Sequence, residues 1–100
     1  MPFSYKIHKT GSEVLLAVAD SDLVGKTFFD KEKEIEVSKE FYGDKRGDAG
    51  TIASMAKEAT IVNAMGRNVV DLLIDKGIVQ SEETVEVCGI PHAQVFLIRQ

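Results

Sequence analysis

The chain has 100 residues, of which 44% are hydrophobic, and a formal net charge of −4 at pH 7. This size predicts one compact domain over residues 1–100, with enough apolar surface for a core that needs no disulfide. Cys88 is the single cysteine, so an intrachain disulfide is excluded and a reducing, cytoplasmic location is expected. The excess of acidic residues argues against non-specific binding of nucleic acid, although it leaves room for a local basic patch.

Neither an export signal nor a membrane span is evident. The first residues lack the basic patch and the apolar run of a signal peptide. The longest apolar run, residues 14–19, is far shorter than the roughly 20 residues that a helix needs to cross a bilayer. We therefore expect no contact with a membrane.

The first twenty residues have the pattern of a β-hairpin. Phe3, Tyr5 and Ile7 alternate with polar residues, as in a half-buried strand. Residues 10–12 form a tight turn around a glycine, and residues 13–19 are apolar at nearly every position. Continuous apolar character is typical of a strand covered on both faces, so the second strand should lie in the middle of a sheet.

Short elements follow between residues 20 and 50. Residues 20–22 can cap a helical turn, residues 26–29 look extended, and residues 34–37 alternate like an edge strand. A second helical turn is expected at residues 38–42, stopped by Gly43. Residues 44–50 hold two glycines and several charges, which indicates a loop.

Two helices are predicted next. Residues about 51–65 form the first, because apolar side chains recur there at helical spacing: Ile52, Met55, Ala56, Ala59 and Val62. Gly66 would end or kink this helix, Asn68 would cap a second one, and Gly77 would lie just past the end of the second.

Two strands complete the chain, at residues 84–88 and 95–98, with a break at residues 89–91. This order of elements predicts an α+β fold, with a mixed or antiparallel sheet and two main helices packed on one face. The regular strand–helix alternation of a doubly wound fold is missing from the pattern.

The usual motifs of catalysis, phosphate loops and zinc sites are absent from the sequence. Cys88 and His92, with His8 as a third group, suggest either a zinc site or a cysteine–histidine pair for nucleophilic catalysis. Because Pro91 interrupts the helix that their spacing would need, a buried thiol beside a loop histidine is the favoured interpretation. We predict no catalytic residue, no metal and no cofactor.

Residues 89–94 are the first candidate binding segment. Pro91 fixes the backbone of a predicted turn, His92 can stack on a base, and Gln94 can form a hydrogen bond with a base edge. The alternative is a β-turn that only joins two strands.

The junction of the two predicted helices is the second candidate. Free N–H groups at the start of the second helix, with Arg67 beside them and Asn63 nearby, would suit a phosphate. The alternative is an ordinary turn between helices in which Gly66 and Asn68 act as caps.

The third candidate is Phe41 and Tyr42 followed by Lys45 and Arg46. Aromatic rings beside cations are the elements of a stacking platform for single-stranded nucleic acid. The two rings would serve equally well as parts of the core.

Several phrases along the chain resemble a known family. They are KTG at residues 9–11, EVL at 13–15, LVGKTF at 23–28, VSKEFYG at 37–43, EATI at 58–61 with Asn63 and Gly66, and GIPHAQ at 89–94. Together they resemble the short archaeal proteins grouped as domain of unknown function 424. The resemblance implies a predicted RNA-binding role with a general link to information processing, and it brings no catalytic residues.

Three hypotheses follow for the function. The first is a non-catalytic module that contacts RNA or a ribonucleoprotein assembly, with binding that weakens steeply with added salt. The second is a protein–protein adaptor or a homodimer that uses Phe28, Phe29, Phe41 or the edge strand at residues 34–37. The third, placed last, is an enzyme that uses Cys88 and His92.

Overall fold

The structure is a computed structural model that describes residues 2–43 and 45–97. Within these residues, the strands are β1 (Phe3–Thr10), β2 (Glu13–Asp20), β3 (Thr27–Asp30), β4 (Lys33–Glu36), β5 (Lys45–Gly47), β6 (Ile61–Met65), β7 (Thr84–Val87) and β8 (Ile90–Phe96). The helices are α1 (Lys39–Tyr42), α2 (Ala49–Glu58) and α3 (Arg67–Asp75), and short 3₁₀ turns occupy Ser21–Leu23 and Ser81–Glu83.

A six-stranded sheet with the order β5–β1–β2–β6–β8–β7 forms the centre of the described part of the chain. The strands pair antiparallel except for β2 and β6, which run parallel. The predicted α+β fold with a mixed sheet is therefore confirmed. Strand β2 lies inside the sheet, as its apolar sequence indicates, and β3 and β4 form a separate hairpin.

Each face of the sheet carries its own apolar core. The two longer helices, α2 and α3, cover the face that we call the helix face, as predicted. The β3–β4 hairpin and α1 cover part of the opposite face, which we call the hairpin face. Leu16 and Val18 of β2 point to the first face, and Ala17 and Ala19 point to the second. This double covering explains why residues 14–19 of β2 are all apolar.

The local signals of the short elements are confirmed. The β1–β2 hairpin and the 3₁₀ turn after Asp20 form as expected. Ser38 caps α1 by accepting a hydrogen bond from the Phe41 N–H group at 3.0 Å, and Gly43 ends that helix. Gly77 lies just past Lys76, the C-cap residue of α3, and has a positive φ of 73°.

The loop expected at residues 44–50 is instead largely structured. Lys45–Gly47 forms β5, which pairs with β1 at the edge of the sheet, and Ala49 begins α2. Asp48 caps α2 by accepting a hydrogen bond from the Thr51 N–H group at 2.9 Å. The sequence did not predict this strand, because three residues are too few to show the alternation of a strand and the glycines and charges around them are typical of a loop. Asp44 lies outside the described residues.

The helix predicted over residues 51–65 is wrong in its second half. Helix α2 ends at Glu58, and strand β6 then runs parallel to β2. Thr60 fixes the change of direction: its N–H group donates to Val14 O at 2.8 Å, and its hydroxyl accepts from the Val14 N–H group at 2.8 Å. Ala59 and Val62 are both buried, and their spacing continued the helical pattern by coincidence.

Helix α3 begins at Arg67 and takes its cap from another element. The Asp20 carboxylate, at the end of β2, accepts hydrogen bonds from the N–H groups of Asn68 (3.0 Å) and Val69 (2.9 Å). The expected cap by the Asn68 side chain is therefore wrong. Gly66 does not end a helix but connects β6 to α3. Burial raises the pKa of Asp20, and the two backbone hydrogen bonds oppose that shift.

The break expected at residues 89–91 is also wrong, because β8 begins at Ile90. The turn consists of Cys88 and Gly89 alone, both with positive φ (52° and 79°), as in a two-residue hairpin turn. Pro91 has no N–H group, and it is tolerated inside the sheet because the carbonyl of its neighbour Gly66 already has another donor. Gly66 O accepts from Val70 in α3, and Gly66 N–H donates to Pro91 O at 2.9 Å.

Among the described helices, none has the length and apolar character that crossing a membrane requires.

Replacing Gly66 with alanine should destabilise the protein by about 2 kcal/mol or more. Gly66 has φ 124°, and a Cβ there would lie 2.5 Å from the Asp20 carboxylate, which would be displaced from the start of α3. Gly11→Ala is the matched control, because Gly11 also has positive φ (60°) but has nothing within 4 Å of the added atom. It should cost about 1 kcal/mol. Urea unfolding of both variants measures the difference, and equal losses would contradict the role of Asp20.

Candidate binding surface on the hairpin face

Four of the predicted site residues meet on the hairpin face: Tyr42, Asn63, His92 and Gln94. The Tyr42 hydroxyl donates to Asn63 Oδ1 at 2.6 Å, and His92 Nε2 lies 3.2 Å from the same oxygen. Asn63 Nδ2 donates to Gln94 Oε1 at 2.9 Å. We call these four residues the polar cluster. They come from α1, β6 and β8, so residues of all three candidate segments singled out in the sequence lie together, with Asn63 at the centre.

Sheet register brings the cluster together. Asn63 and Gln94 are directly opposite each other in the β6–β8 pair, and His92 is opposite Met65 one step along. Helix α1 packs against β1 and β2 and places Tyr42 over the middle of the sheet. Because side chains two residues apart on a strand share a face, His92 and Gln94 necessarily project to the same side.

The hydrogen bonds fix the orientation of each group. An amide oxygen only accepts, so both Tyr42 and His92 must donate to Asn63 Oδ1. The proton of the neutral His92 ring is therefore on Nε2, and Nδ1 is an acceptor. Since Gln94 Oε1 already accepts from Asn63, the N–H groups of the exposed Gln94 amide are its principal means of binding a ligand.

Burial keeps the cluster uncharged. Tyr42 and Asn63 are only 6% and 8% exposed. Burial raises the pKa of Tyr42 to about 12, so the hydroxyl stays protonated and remains a donor. Burial also lowers the pKa of the half-buried His92, which favours the neutral ring near pH 7.

Strand β8 extends the surface beyond the polar cluster, from Gln94 to Phe96. Phe96 is two residues beyond Gln94, projects to the same face, and is 69% exposed. We call His92, Gln94 and Phe96 the β8 stripe. It offers a titratable ring, an oriented amide and an open aromatic face side by side. Phe96 is not among the residues predicted from the sequence, because residues 95–98 have the apolar pattern of a core strand. A strand that begins at Ile90 places Phe96 in phase with Gln94.

The rings of Phe41 and Tyr42 are largely occupied within the fold. His8 stacks on Phe41 with ring centres 4.9 Å apart, and its Nε2 donates to Phe41 O at 2.8 Å. Tyr42 meets Phe41 edge to face at 4.8 Å. Tyr42 is buried, so it can affect a ligand only through Asn63. A stacking platform made of these two rings is therefore not what the structure presents.

Lys45 and Arg46 do not join the polar cluster. They lie on β5, at the opposite edge of the sheet, where they line a cleft together with Lys39. Lys39 is not among the residues predicted from the sequence, because it lies on α1 and shares no strand with them. Arg67 is exposed at the start of α3, but the neighbouring N–H groups expected to receive a phosphate are bound to Asp20. Pro91 is half-buried in β8 and contributes its backbone carbonyl to Gly66.

The residues weighed for a zinc site or a nucleophile face different partners. His8 is bound to Phe41, His92 is bound to Asn63, and Cys88 Sγ lies 3.9 Å from Lys33 O on the adjacent hairpin. Within residues 2–43 and 45–97, no three or more histidine, cysteine or acidic side chains are grouped as metal ligands would be.

Substitutions at the centre of the polar cluster should cost more than those at its margin. Asn63→Ala leaves the buried Tyr42 hydroxyl without its acceptor, so we expect a loss of about 2–3 kcal/mol in unfolding free energy. Tyr42→Phe removes one hydrogen bond while His92 still donates to Asn63, so we expect about 1 kcal/mol. The double variant should lose less than the sum, because both changes remove the same bond. Additive losses in urea unfolding would contradict this coupling.

His92 should make stability depend on pH. Its pKa in the folded protein is below the ordinary value of 6.5, so the unfolded chain takes up a proton first as the pH falls. The stabilisation present above about pH 6.5 is therefore lost progressively on acidification below that pH. His92→Gln retains an N–H donor for Asn63 and should lack this component. Unfolding free energies of both proteins between about pH 7 and pH 5 test the prediction; parallel profiles would contradict it.

Comparison with known proteins gives a family and a fold. The family described as "Protein of unknown function (DUF424)" matches residues 8–98. A crystal structure of an uncharacterized conserved protein from Methanopyrus kandleri is similar over 100% of this chain and 95% of the other, with 28% identity and a TM-score of 0.84. No curated protein matches. The match over residues 8–98 shows that the chain belongs to the DUF424 family.

Proposed function

We propose that the protein is a non-catalytic binding module that contacts RNA, alone or within a ribonucleoprotein assembly, through the β8 stripe. One observation carries the proposal: an exposed aromatic ring, Phe96, lies beside the exposed and oriented amide of Gln94 on an accessible part of the sheet. A cytoplasmic location is in keeping with the single cysteine.

Unpaired bases are the ligands that suit these side chains. A base can stack on an exposed aromatic ring for about 1–3 kcal/mol, whatever its identity. An amide can then form hydrogen bonds with the base edge, and single strands expose those edges whereas an RNA duplex conceals them. Phe96 and Gln94 are two residues apart on β8, a separation of about 7 Å. One nucleotide can therefore contact both side chains, or two neighbouring nucleotides can contact one each.

The buried part of the cluster supports this use of Gln94. A free glutamine side chain on a surface samples many rotamers, and binding must then restrict them. The hydrogen bond from Asn63 holds the Gln94 amide in one orientation before any ligand arrives. Tyr42 and His92 in turn hold Asn63. Such preorganisation lowers the entropic cost of binding.

Phe96→Ala should weaken binding of single-stranded RNA by about 5- to 150-fold, the equivalent of one lost stacking contact. Phe29→Ala is the matched control, because Phe29 is 70% exposed on β3 and does not belong to the stripe. Fluorescence anisotropy with a short labelled oligonucleotide, single-stranded and as a duplex, measures the effect. The duplex should bind weakly to the unmodified protein and to both variants.

Two outcomes would refute the RNA proposal: no complex of the unmodified protein with any single strand, or equal losses of RNA affinity in the Phe96 and Phe29 variants.

The second hypothesis, a self-associating or adaptor domain, has its own support in the exposed ring of Phe29 on the hairpin. Phe28 and Phe41, named for the same role, are partly buried against the hairpin-face core. Sedimentation distinguishes the two hypotheses, because loss of a dimer in Phe29→Ala, and not in Phe96→Ala, would favour self-association.

A further inference from the structure

A cleft of about 340 Å³ lies at the β5 edge of the sheet, apart from the β8 stripe. Two cationic side chains, those of Lys39 and Arg46, line it together with the serines Ser4 and Ser21. Lys45 borders the cleft on β5, but it is opposite Tyr5, so its side chain projects to the other face of the sheet. Arg46 and His92 lie in one row across the sheet, separated by four strand spacings, or about 19 Å. The cleft and the stripe are therefore separate sites.

The fold brings the two cations together from two elements, Lys39 from α1 and Arg46 from β5. Pairing of β5 with β1 sets Arg46 opposite Ser4 and Lys45 opposite Tyr5. Lys39 comes from the start of α1, and Gly43 leads the chain from α1 toward β5. A Cβ at Gly43 would lie 2.6 Å from the Tyr5 backbone N and O, so only glycine lets the chain pass this close to β1.

Among the described residues, the charged side chains that line the cleft are cationic, whereas the chain as a whole is acidic. The protein has 16 acidic and 12 basic residues, yet no acidic side chain lines the cleft among the residues that the structure describes. Like charges around a partly enclosed space repel one another and raise the local potential, and a bound anion relieves that repulsion. Arginine offers a planar fork to a phosphate, and lysine offers a mobile point charge.

The serines limit what the cleft can do. The Ser4 hydroxyl donates to Ser21 Oγ at 3.0 Å, and the Ser21 hydroxyl donates to Pro2 O at 2.8 Å. Both hydroxyl protons are therefore engaged within the protein. Binding of an anion must rely on the two cations Lys39 and Arg46, which favours a ligand with more than one negative charge. A phosphate monoester, with about −1.5 to −2 charge at pH 7, meets this condition better than a phosphodiester, with a single charge.

We propose that this cleft binds the phosphate monoester of a nucleotide or of a phosphorylated RNA end. Its volume is at the lower limit of the roughly 300–1,000 Å³ typical of small-molecule pockets, so it has room for part of the group that carries the phosphate. The proposal goes beyond RNA contact by the β8 stripe and does not depend on it.

Titrations followed by NMR of backbone amides test the site, with inorganic phosphate and adenosine 5′-monophosphate as probes. Both should shift the amide signals of Ser4, Lys39, Lys45 and Arg46. Lys39→Gln/Arg46→Gln should weaken phosphate binding by about tenfold or more, the effect of losing at least one hydrogen bond to a charged group. Lys57→Gln/Lys76→Gln is the matched control, because it changes the net charge equally at exposed positions outside the cleft.

Short RNAs with a 5′-phosphate or a 5′-hydroxyl identify the source of the phosphate. Tighter binding of the phosphorylated RNA than of the free nucleotide would assign the site to an RNA end, and the reverse would assign it to a free nucleotide. Equal binding of the two RNAs, combined with no cleft shifts by inorganic phosphate, overturns the proposal. So does an equal loss in both double variants. If neither RNA binds, the RNA function of the stripe fails, while the phosphate titration still decides the cleft.

Discussion

The amide of Asn63 is the interaction on which the candidate surface depends. It lies in the middle of the sheet, almost without exposure, and a buried amide is costly unless its donors and acceptor are satisfied. Tyr42, His92 and Gln94 satisfy it from α1 and β8. Because each of these bonds has a direction, the amide determines the tautomer of His92 and the orientation of Gln94. A leucine of similar size at this position would fill the space but would orient neither side chain.

The second constraint is the cap that Asp20, at the end of β2, provides for helix α3. The Asp20 carboxylate takes the position at the start of α3 that an external anion could otherwise occupy, and it fits only because residue 66 has no side chain. Gly66 also ties β6 to Pro91 through its N–H group. The parallel strands β2 and β6, helix α3 and strand β8 therefore meet within a few residues. The N–H groups at the start of α3 are therefore used within the fold and not for an external anion.

Helix α1 connects the two surfaces that we propose for ligands. Its first residue, Lys39, lines the cationic cleft, and its last residue, Tyr42, belongs to the polar cluster. Capping by Ser38 and the stacking of His8 on Phe41 fix this short helix on β1. The arrangement shows how an acidic protein can present cations locally: a few basic side chains from different elements are gathered at one edge of the sheet.

Sequence alone was sufficient for the elements whose signals are local. The β1–β2 hairpin, the central place of β2, the helical turn stopped by Gly43 and the end of α3 before Gly77 all follow from neighbouring residues, through alternation, turn chemistry and capping. The α+β class and the packing of two helices on one face followed from the order of these elements.

Tertiary contacts decided the rest. Strand β6 forms where helical spacing continued, because Thr60 binds Val14 some 46 residues away. The bonds that join Asn63 to Tyr42, His92 and Gln94 span 21 to 31 residues. Patterns within one turn of a helix or one strand cannot report such partners, because the register of the sheet sets them.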